Sequence, residues 1–210
     1  MITQAHTTAT GGTPSSPRIA VKIAGSLDDM MKCFNVRAIV FIGEQGSPYD
    51  EEFDGNDYTA THILATVGGE PAGAMRIRYF GDFAKPERLA VLQKFRSQRF
   101  KERGVAFALA GFAFSFCARK GITRFYGHAQ KRLVPFWSRF GIFKPMENGE
   151  FFFSDHEYVA MAGQVAPPPN ALGLNSDHLT LIRPEGDWDR PGIYDRSQER
   201  PPSNPVGRAA

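Results

Sequence analysis

Apolar and polar residues alternate over Arg18–Ala24, and this two-residue period predicts a short strand with one buried face. Ser26, followed by Asp28 and Asp29, supplies a cap oxygen and negative charge for a helix start. Met30, Phe34, Ala38 and Phe41 recur at helical spacing and carry that helix to about Ile42. Gly43–Asp57 has no period and is acidic, the pattern of a loop. Thr61–Val67 and Ala72–Tyr79 flank Gly68-Gly69, which predicts a hairpin, and Arg88–Leu92 after Pro86 predicts another strand. Val105–Lys120 is apolar nearly all round and ends on Arg119, Lys120 and Gly121, so it predicts a long, largely covered helix. Thr123–His128, Ile142–Met146 and Glu157–Ala162 read as strands, with a short helix over Val134–Phe140 stopped by Gly141. The order β-α-β-β-β-α-β-α-β-β predicts one α/β (α+β) domain on a mixed sheet of about seven strands flanked by helices.

The two ends differ from this middle. Residues 1–17 are Thr, Ser, Gly and Pro with little to bury, and a disordered segment is expected. They lack the basic start and apolar run of a secretory signal. Residues 166–210 are Pro-rich and polar, an expected extended tail, though Leu179–Ile182, Trp188 and Ile193 give it apolar points that can dock on the domain of residues 18–165. The apolar run Val105–Ala118 is too short and too interrupted to span a bilayer.

With 42 % apolar residues the chain can bury a real core. Its 25 basic and 22 acidic residues are scattered, without a basic run interleaved with aromatics, which argues against nucleic acid and leaves room for a small anionic ligand. Cys33 and Cys117 lie inside helical patterns without metal-ligand spacing and read as reduced core thiols of a cytoplasmic protein, with no metal expected.

The chemistry concentrates between Glu87 and Gly121. The strand residues Leu89, Ala90 and Val91 lead through a basic stretch, Arg96, Arg99, Lys101 and Arg103, into Gly104, Val105, Ala106 and the long helix. The first amides of a helix lack internal partners and sit at the positive end of its dipole. Small residues there let phosphate oxygens approach, and arginines can hold them in pairs of hydrogen bonds.

This segment resembles the coenzyme A-binding motif of the GCN5-related N-acetyltransferases, Gln/Arg-x-x-Gly-x-Gly/Ala, with Lys101 at the first position and Gly104 and Ala106 matching. Tyr126–Gln130 and Pro135–Gly141 resemble the family's next strand and following helix. Arg37–Phe41, Glu44–Gly46, Glu52–Asp54, Asp57, His62, Glu150-Phe151, His156 and Met161 are similar to a bacterial subset of small acetyltransferases. The resemblance covers about residues 18–163. It implies acetyl-CoA as acyl donor, with Leu89, Ala90 and Val91 along its pantetheine arm and the amides of Arg103, Gly104, Val105 and Ala106 at its pyrophosphate. Arg96 and Lys101 are alternative phosphate partners.

The family's usual thiolate-protonating tyrosine corresponds to Trp137 here, beside the same donor, and Tyr126 or Ser138 are the alternative proton sources. Removing a proton from the attacking amine needs a base, and Glu87, Glu44 and His128 are the candidates. The acidic residues Asp50, Glu51, Glu52, Asp54 and Asp57 are expected to draw a cationic acceptor to the cleft. The implied function is transfer of an acetyl group to an amine of a small molecule or a protein, without nucleic-acid or membrane partners, and with a homodimer left open. A non-catalytic acyl-CoA sensor is an alternative to which Trp137 points. Acyl-homoserine lactone synthesis is a further one, suggested by Arg37, Phe41, Glu52, Asp54 and Asp57.

Overall fold

Strand alternation sorts the core onto the two faces of one sheet. In a computed structural model describing residues 18–97, 104–153, 156–197 and 199–201, the strands are β1 Ile19–Ile23, β2 Thr61–Val67, β3 Glu70–Phe80, β4 Phe83–Val91, β5 Arg124–Gln130, β6 Phe143–Phe153 and β7 His156–Gln164. They form a seven-stranded mixed sheet in the order β1-β2-β3-β4-β5-β7-β6. Ile63, Ala65, Met75 and Ile77 face one side and pack with the long helix, α4 below, whereas Leu64 and Ala74 face the other and pack with Cys33 and Val36. The mixed-sheet domain expected from the element order is the one found.

Helix α1, Leu27–Arg37, starts where expected, with the Ser26 hydroxyl accepting from the Asp29 amide at 3.1 Å. It then loosens into a π-helical stretch over Ala38–Glu44 instead of running on regularly to Ile42. The expected loop after it holds a single turn, α2 Tyr49–Glu52, and a 3-10 turn at Asp57–Thr59. Two short helices, α3 Gln93–Arg96 and α5 Val134–Ser138, flank the long α4 Val105–Arg119 in chain order. Strand β6 continues well beyond Met146 by looping out four residues, since Pro145 pairs with Met161 and Glu150 with Val159.

Strands β4 and β5 are parallel neighbours, yet only Phe83 with Arg124 and Ala84 with Phe125 are paired. Beyond these the strands part and leave a wedge. Its outer end faces the start of α4, which is held close to the sheet because Gly73 of β3 has no side chain. A Cβ there would lie 2.9 Å from Val105 Cγ1, from Leu109 Cδ1 and from the Ala90 carbonyl oxygen.

The residues after β7 pack back on α4 through one of the apolar points seen in the sequence, Trp188, whereas Leu181, Ile182 and Ile193 stay exposed. The segment includes α6 His178–Ile182 and α7 Ile193–Ser197. The Trp188 ring, 5 % exposed, stacks on Phe116 at 5.3 Å. Arg119 pairs with Asp189 at 2.7 Å and its carbonyl accepts from the Leu172 amide at 2.8 Å. Both cysteines are free and buried, and burial pushes their thiols up to about 12, which suits inert core positions. No helix among the described residues is long and apolar enough to cross a membrane. The expectations for residues 1–17 concern residues outside those described.

Trp188→Ala removes the anchor that joins this C-terminal segment to α4, and the expected cost is about 3–5 kcal/mol. Urea denaturation of the full chain measures it. A change near zero would mean that the segment adds no stability.

Candidate active site

The side of the sheet under α1 carries a buried lattice of charges. Arg37 at the end of α1 and Arg76 in β3 are both fully buried. Arg37 Nε donates to Glu52 Oε1 at 2.5 Å, and its Nη1 donates to Asp57 Oδ1 at 2.6 Å. Arg76 grips Asp54 with two bonds of 2.8 Å, reaches Glu87 Oε1 from Nη2 at 2.6 Å and Asp57 Oδ1 from Nη1 at 3.0 Å. Arg88 adds contacts to the Glu51 carbonyl at 2.5 Å and to Glu52 Oε2 at 3.0 Å, and Lys85 pairs with Glu87 at 2.9 Å. Four cations thus meet Glu52, Asp54, Asp57 and Glu87. The His62 ring sits beside them, with Nε2 donating to the Asp57 carbonyl at 3.1 Å.

The surrounding cations set the titration of these groups. Against the cost of burial, bonds from Arg76 and the Asn56 amide hold Asp54 well below the usual carboxylate range. Arg37 and Arg76 lower Asp57, and Lys85 with Arg76 lowers Glu87, again against burial. At Glu52 burial prevails and pushes the carboxyl up despite Arg37 and Arg88.

The lattice corrects the expected role of the acidic stretch. Glu52, Asp54 and Asp57 are neutralised internally and are not a field offered to a cationic acceptor, although Asp54, like Asp50 and Glu51, stays exposed. Glu87 is committed to Arg76 and Lys85, which leaves its carboxylate a weak base. Glu44, at the end of the π-helical stretch, is ion-paired with Arg96. Arg96 also donates from Nε to the Val91 carbonyl at 2.8 Å, so it ties the end of β4 to the start of the basic stretch.

The wedge holds the remaining candidates. Leu89, Ala90 and Val91 form the β4 side of it. Opposite Met75, β4 has an extra residue, because Ala74 pairs with Ala90 and Arg76 with Glu87. Arg88, inside this bulge, has a φ of 53°, a left-handed conformation held by its contacts to Glu51, Glu52 and Asp54. Gly104 caps α4, and Val105 is buried against Gly73. Lys101 and Arg103 lie outside the described residues.

At the inner end, where β4 and β5 part, Pro86, Gly127, His128, Ala129, Trp137, Phe143 and Met161 surround a slot of about 10 Å³. His128 and Tyr126 share a 2.9 Å hydrogen bond between Nε2 and the phenol oxygen. Burial and nearby Lys85 push the His128 ring below its ordinary value, so it is neutral at pH 7. Trp137 reaches the slot from α5 and packs edge-on against Phe143 at 5.9 Å. The structure therefore gathers His128, Trp137, Tyr126 and the β4 residues at one wedge, with Glu44 held through Arg96 at the outer end of β4. Sequence reasoning missed Arg76, Arg88 and Lys85. The available signal was Arg76 set inside the apolar run Ala72–Ile77 of β3.

This architecture recurs among solved structures. Escherichia coli ElaA superposes with a TM-score of 0.60 at 23 % identity, over 70 % of this chain and 100 % of its own. A GNAT family acetyltransferase from Elizabethkingia anophelis, solved with acetyl-CoA bound, has a TM-score of 0.52 at 12 % identity, over 70 % and 98 %. The fold is that of the GCN5-related acyltransferases. No protein-family model matches the chain. The uncharacterized N-acetyltransferase YjcF of Bacillus subtilis (strain 168) is 32 % identical over 139 residues, 66 % of this chain and 95 % of that protein. The chain belongs to the GCN5-related N-acetyltransferases and is an N-acyltransferase. Among the described residues no cluster of His, Cys, Asp and Glu is placed to hold a metal ion.

Arg76→Leu removes a shared buried cation from three carboxylates in the lattice, and the expected loss of stability at pH 7 is about 3–5 kcal/mol. Asp54, Asp57 and Glu87 are depressed in the folded protein, so their contribution is full above the unfolded pKa near 4 and vanishes as pH falls through the folded values. The deficit of Arg76→Leu against wild type should therefore shrink below about pH 4. Denaturant titrations from pH 7 to pH 3 read it, and a deficit that is constant with pH would refute the electrostatic origin.

Proposed function

We propose that the protein transfers the acetyl group of acetyl-CoA to an amine of a small molecule or a protein, using the wedge between β4 and β5. What supports this reading is the parting of β4 from β5 beyond Ala84 and Phe125, with the start of α4 against Ala90 at one end and the slot beside Trp137 and His128 at the other. In this reading the amides of Gly104, Val105 and Ala106, with Arg103 and either Lys101 or Arg96, receive the pyrophosphate. Leu89, Ala90 and Val91 accompany the pantetheine arm. Arg88 and Leu89 have no register partner on β3, and backbone donors at that bulge suit the developing oxyanion.

The amine nitrogen attacks the thioester carbonyl, a C–N bond forms, and collapse of the tetrahedral intermediate breaks the C–S bond. His128, neutral at pH 7, takes the proton the amine gives up. The Tyr126 hydroxyl protonates the departing thiolate, for which the Trp137 indole is unsuited. The 2.9 Å contact then returns the proton from imidazolium to phenolate, and both groups end as they began.

Two measurements test this. Acetyl-CoA at a hundred times its Kd should stabilise the fold by about 2.7 kcal/mol, seen as a raised melting temperature. Gly104→Asp, which places bulk and negative charge at the phosphate, should abolish that shift; survival of the shift would move the donor elsewhere. In the second, kcat/KM for an amine should fall with decreasing pH through a value below 6.5, the ordinary histidine value. His128→Gln should remove that limb, and a limb that persists would assign the base to another group. Binding without thiol release on any amine would favour the acyl-CoA sensor that Trp137 also suits.

A further inference from the structure

We propose that the inner end of the wedge selects the donor by length: it admits an acetyl group and rejects longer acyl chains, with Trp137, Phe143 and Met161 as the determinants. This rests on the donor site above. A donor anchored by its phosphates at the start of α4 and laid along Val91, Ala90 and Leu89 has its thioester directed inward, toward the place where β4 and β5 rejoin. The strands are last paired at Ala84 and Phe125, so Pro86 and Gly127 stand at the narrowing. The slot there, of about 10 Å³, is at the lower limit for a single water molecule, so the methyl of an acetyl group already fills it and a longer chain has no room.

Its walls are not free to yield. Phe143 is 4 % exposed and Met161 1 %. Phe143 is held edge-on by Phe114 at 5.5 Å, by Phe125 at 6.4 Å and by Trp137 at 5.9 Å. Gly127 provides the fourth side: a Cβ on it would lie 3.4 Å from Phe143 Cζ, inside the space at issue. Packed aromatic walls of this kind do not expand for an extra methylene without displacing the core. Trp137 is the most replaceable of them, because it reaches in from the short α5 and is only half-buried.

The test uses the full chain with coenzyme A, acetyl-CoA, butyryl-CoA and hexanoyl-CoA, read both as melting shifts and as thiol release on one amine. Wild type is expected to favour acetyl-CoA over butyryl-CoA by at least about 10-fold in kcat/KM, the scale of methylene discrimination in a tight pocket. Trp137→Ala should recover hexanoyl-CoA turnover, and the milder Trp137→Leu should recover butyryl-CoA, with circular dichroism confirming that each is folded. Gly127→Ala should weaken acetyl-CoA while leaving coenzyme A, which has no acyl group, bound as before. Equal use of hexanoyl-CoA and acetyl-CoA by wild type would overturn the length filter and leave the donor site standing. Folded Trp137 variants with unchanged donor preference would overturn the role of that residue. If no coenzyme A species shifts the melting temperature, the donor site itself falls, and the filter with it.

Discussion

Two guanidinium groups with no access to water, Arg37 and Arg76, set the terms for the α1 side of this protein. A buried ion without partners costs several kcal/mol, so neither residue is tolerable unless carboxylates are delivered to it. They come from Glu52, Asp54, Asp57 and Glu87, that is, from α2, the segment after it and β4. Satisfying the two arginines therefore folds the acidic stretch down against the sheet and ties it to the strand that borders the wedge. Arg88 completes this link. A left-handed conformation costs a non-glycine residue about 1–2 kcal/mol, and the contacts from Arg88 to Glu51, Glu52 and Asp54 offset it and hold the bulge in place.

The opposite face works by contact alone. Apolar residues of β2, β3 and β4 meet α4, and the absence of a side chain at Gly73 brings Val105 and Leu109 against the sheet. That fixes the start of α4 relative to the end of β4 to within packing distances, and a helix start is useful to an anion only where it is fixed. The C-terminal segment reinforces the same helix from outside through Trp188 and Phe116. One face thus positions the amides at the outer end of the wedge, and the other shapes its β4 wall.

Most of the fold was legible because burial writes a period into the sequence. Ile19–Ile23 follows it without a break, and Thr61–Val67, an apolar run buried on both faces, has the expected bounds. The misjudged boundaries have local causes. Strand β4 was expected only after Pro86, since proline cannot donate in a ladder. Pairing to β5 ends two residues before it, so Pro86 lacks a second neighbour that needs its N–H. Helix α1 changes to π-helical geometry at Ala38, where the apolar spacing gives no sign of it. The site was half legible. The glycine and small residues at the start of α4 are contiguous in the chain and could be read directly. The charge lattice could not, because Glu52, Asp54, Asp57, Arg76 and Glu87 meet only through tertiary structure, and each carboxylate taken singly has the look of a solvated surface charge. Arg76 had a local signal in its apolar surroundings; its partners had none.

Trp137 is where pattern and mechanism pull apart. Where the family resemblance leads one to expect an acid, the chain has a large ring whose N–H is no substitute for a phenol. On the proposed reading the two tasks of that position are divided. The phenol is supplied by Tyr126 on the neighbouring strand, within hydrogen-bond distance of the only histidine that borders the slot among the described residues. The indole is then free to fill space, and it does so against Phe143, at the spot where the acyl group of a donor lying along β4 must end. A tyrosine there would leave the inner wall with less bulk. The exchange is therefore coherent as a pair: the acid moves from helix to strand, and the vacated position becomes a wall.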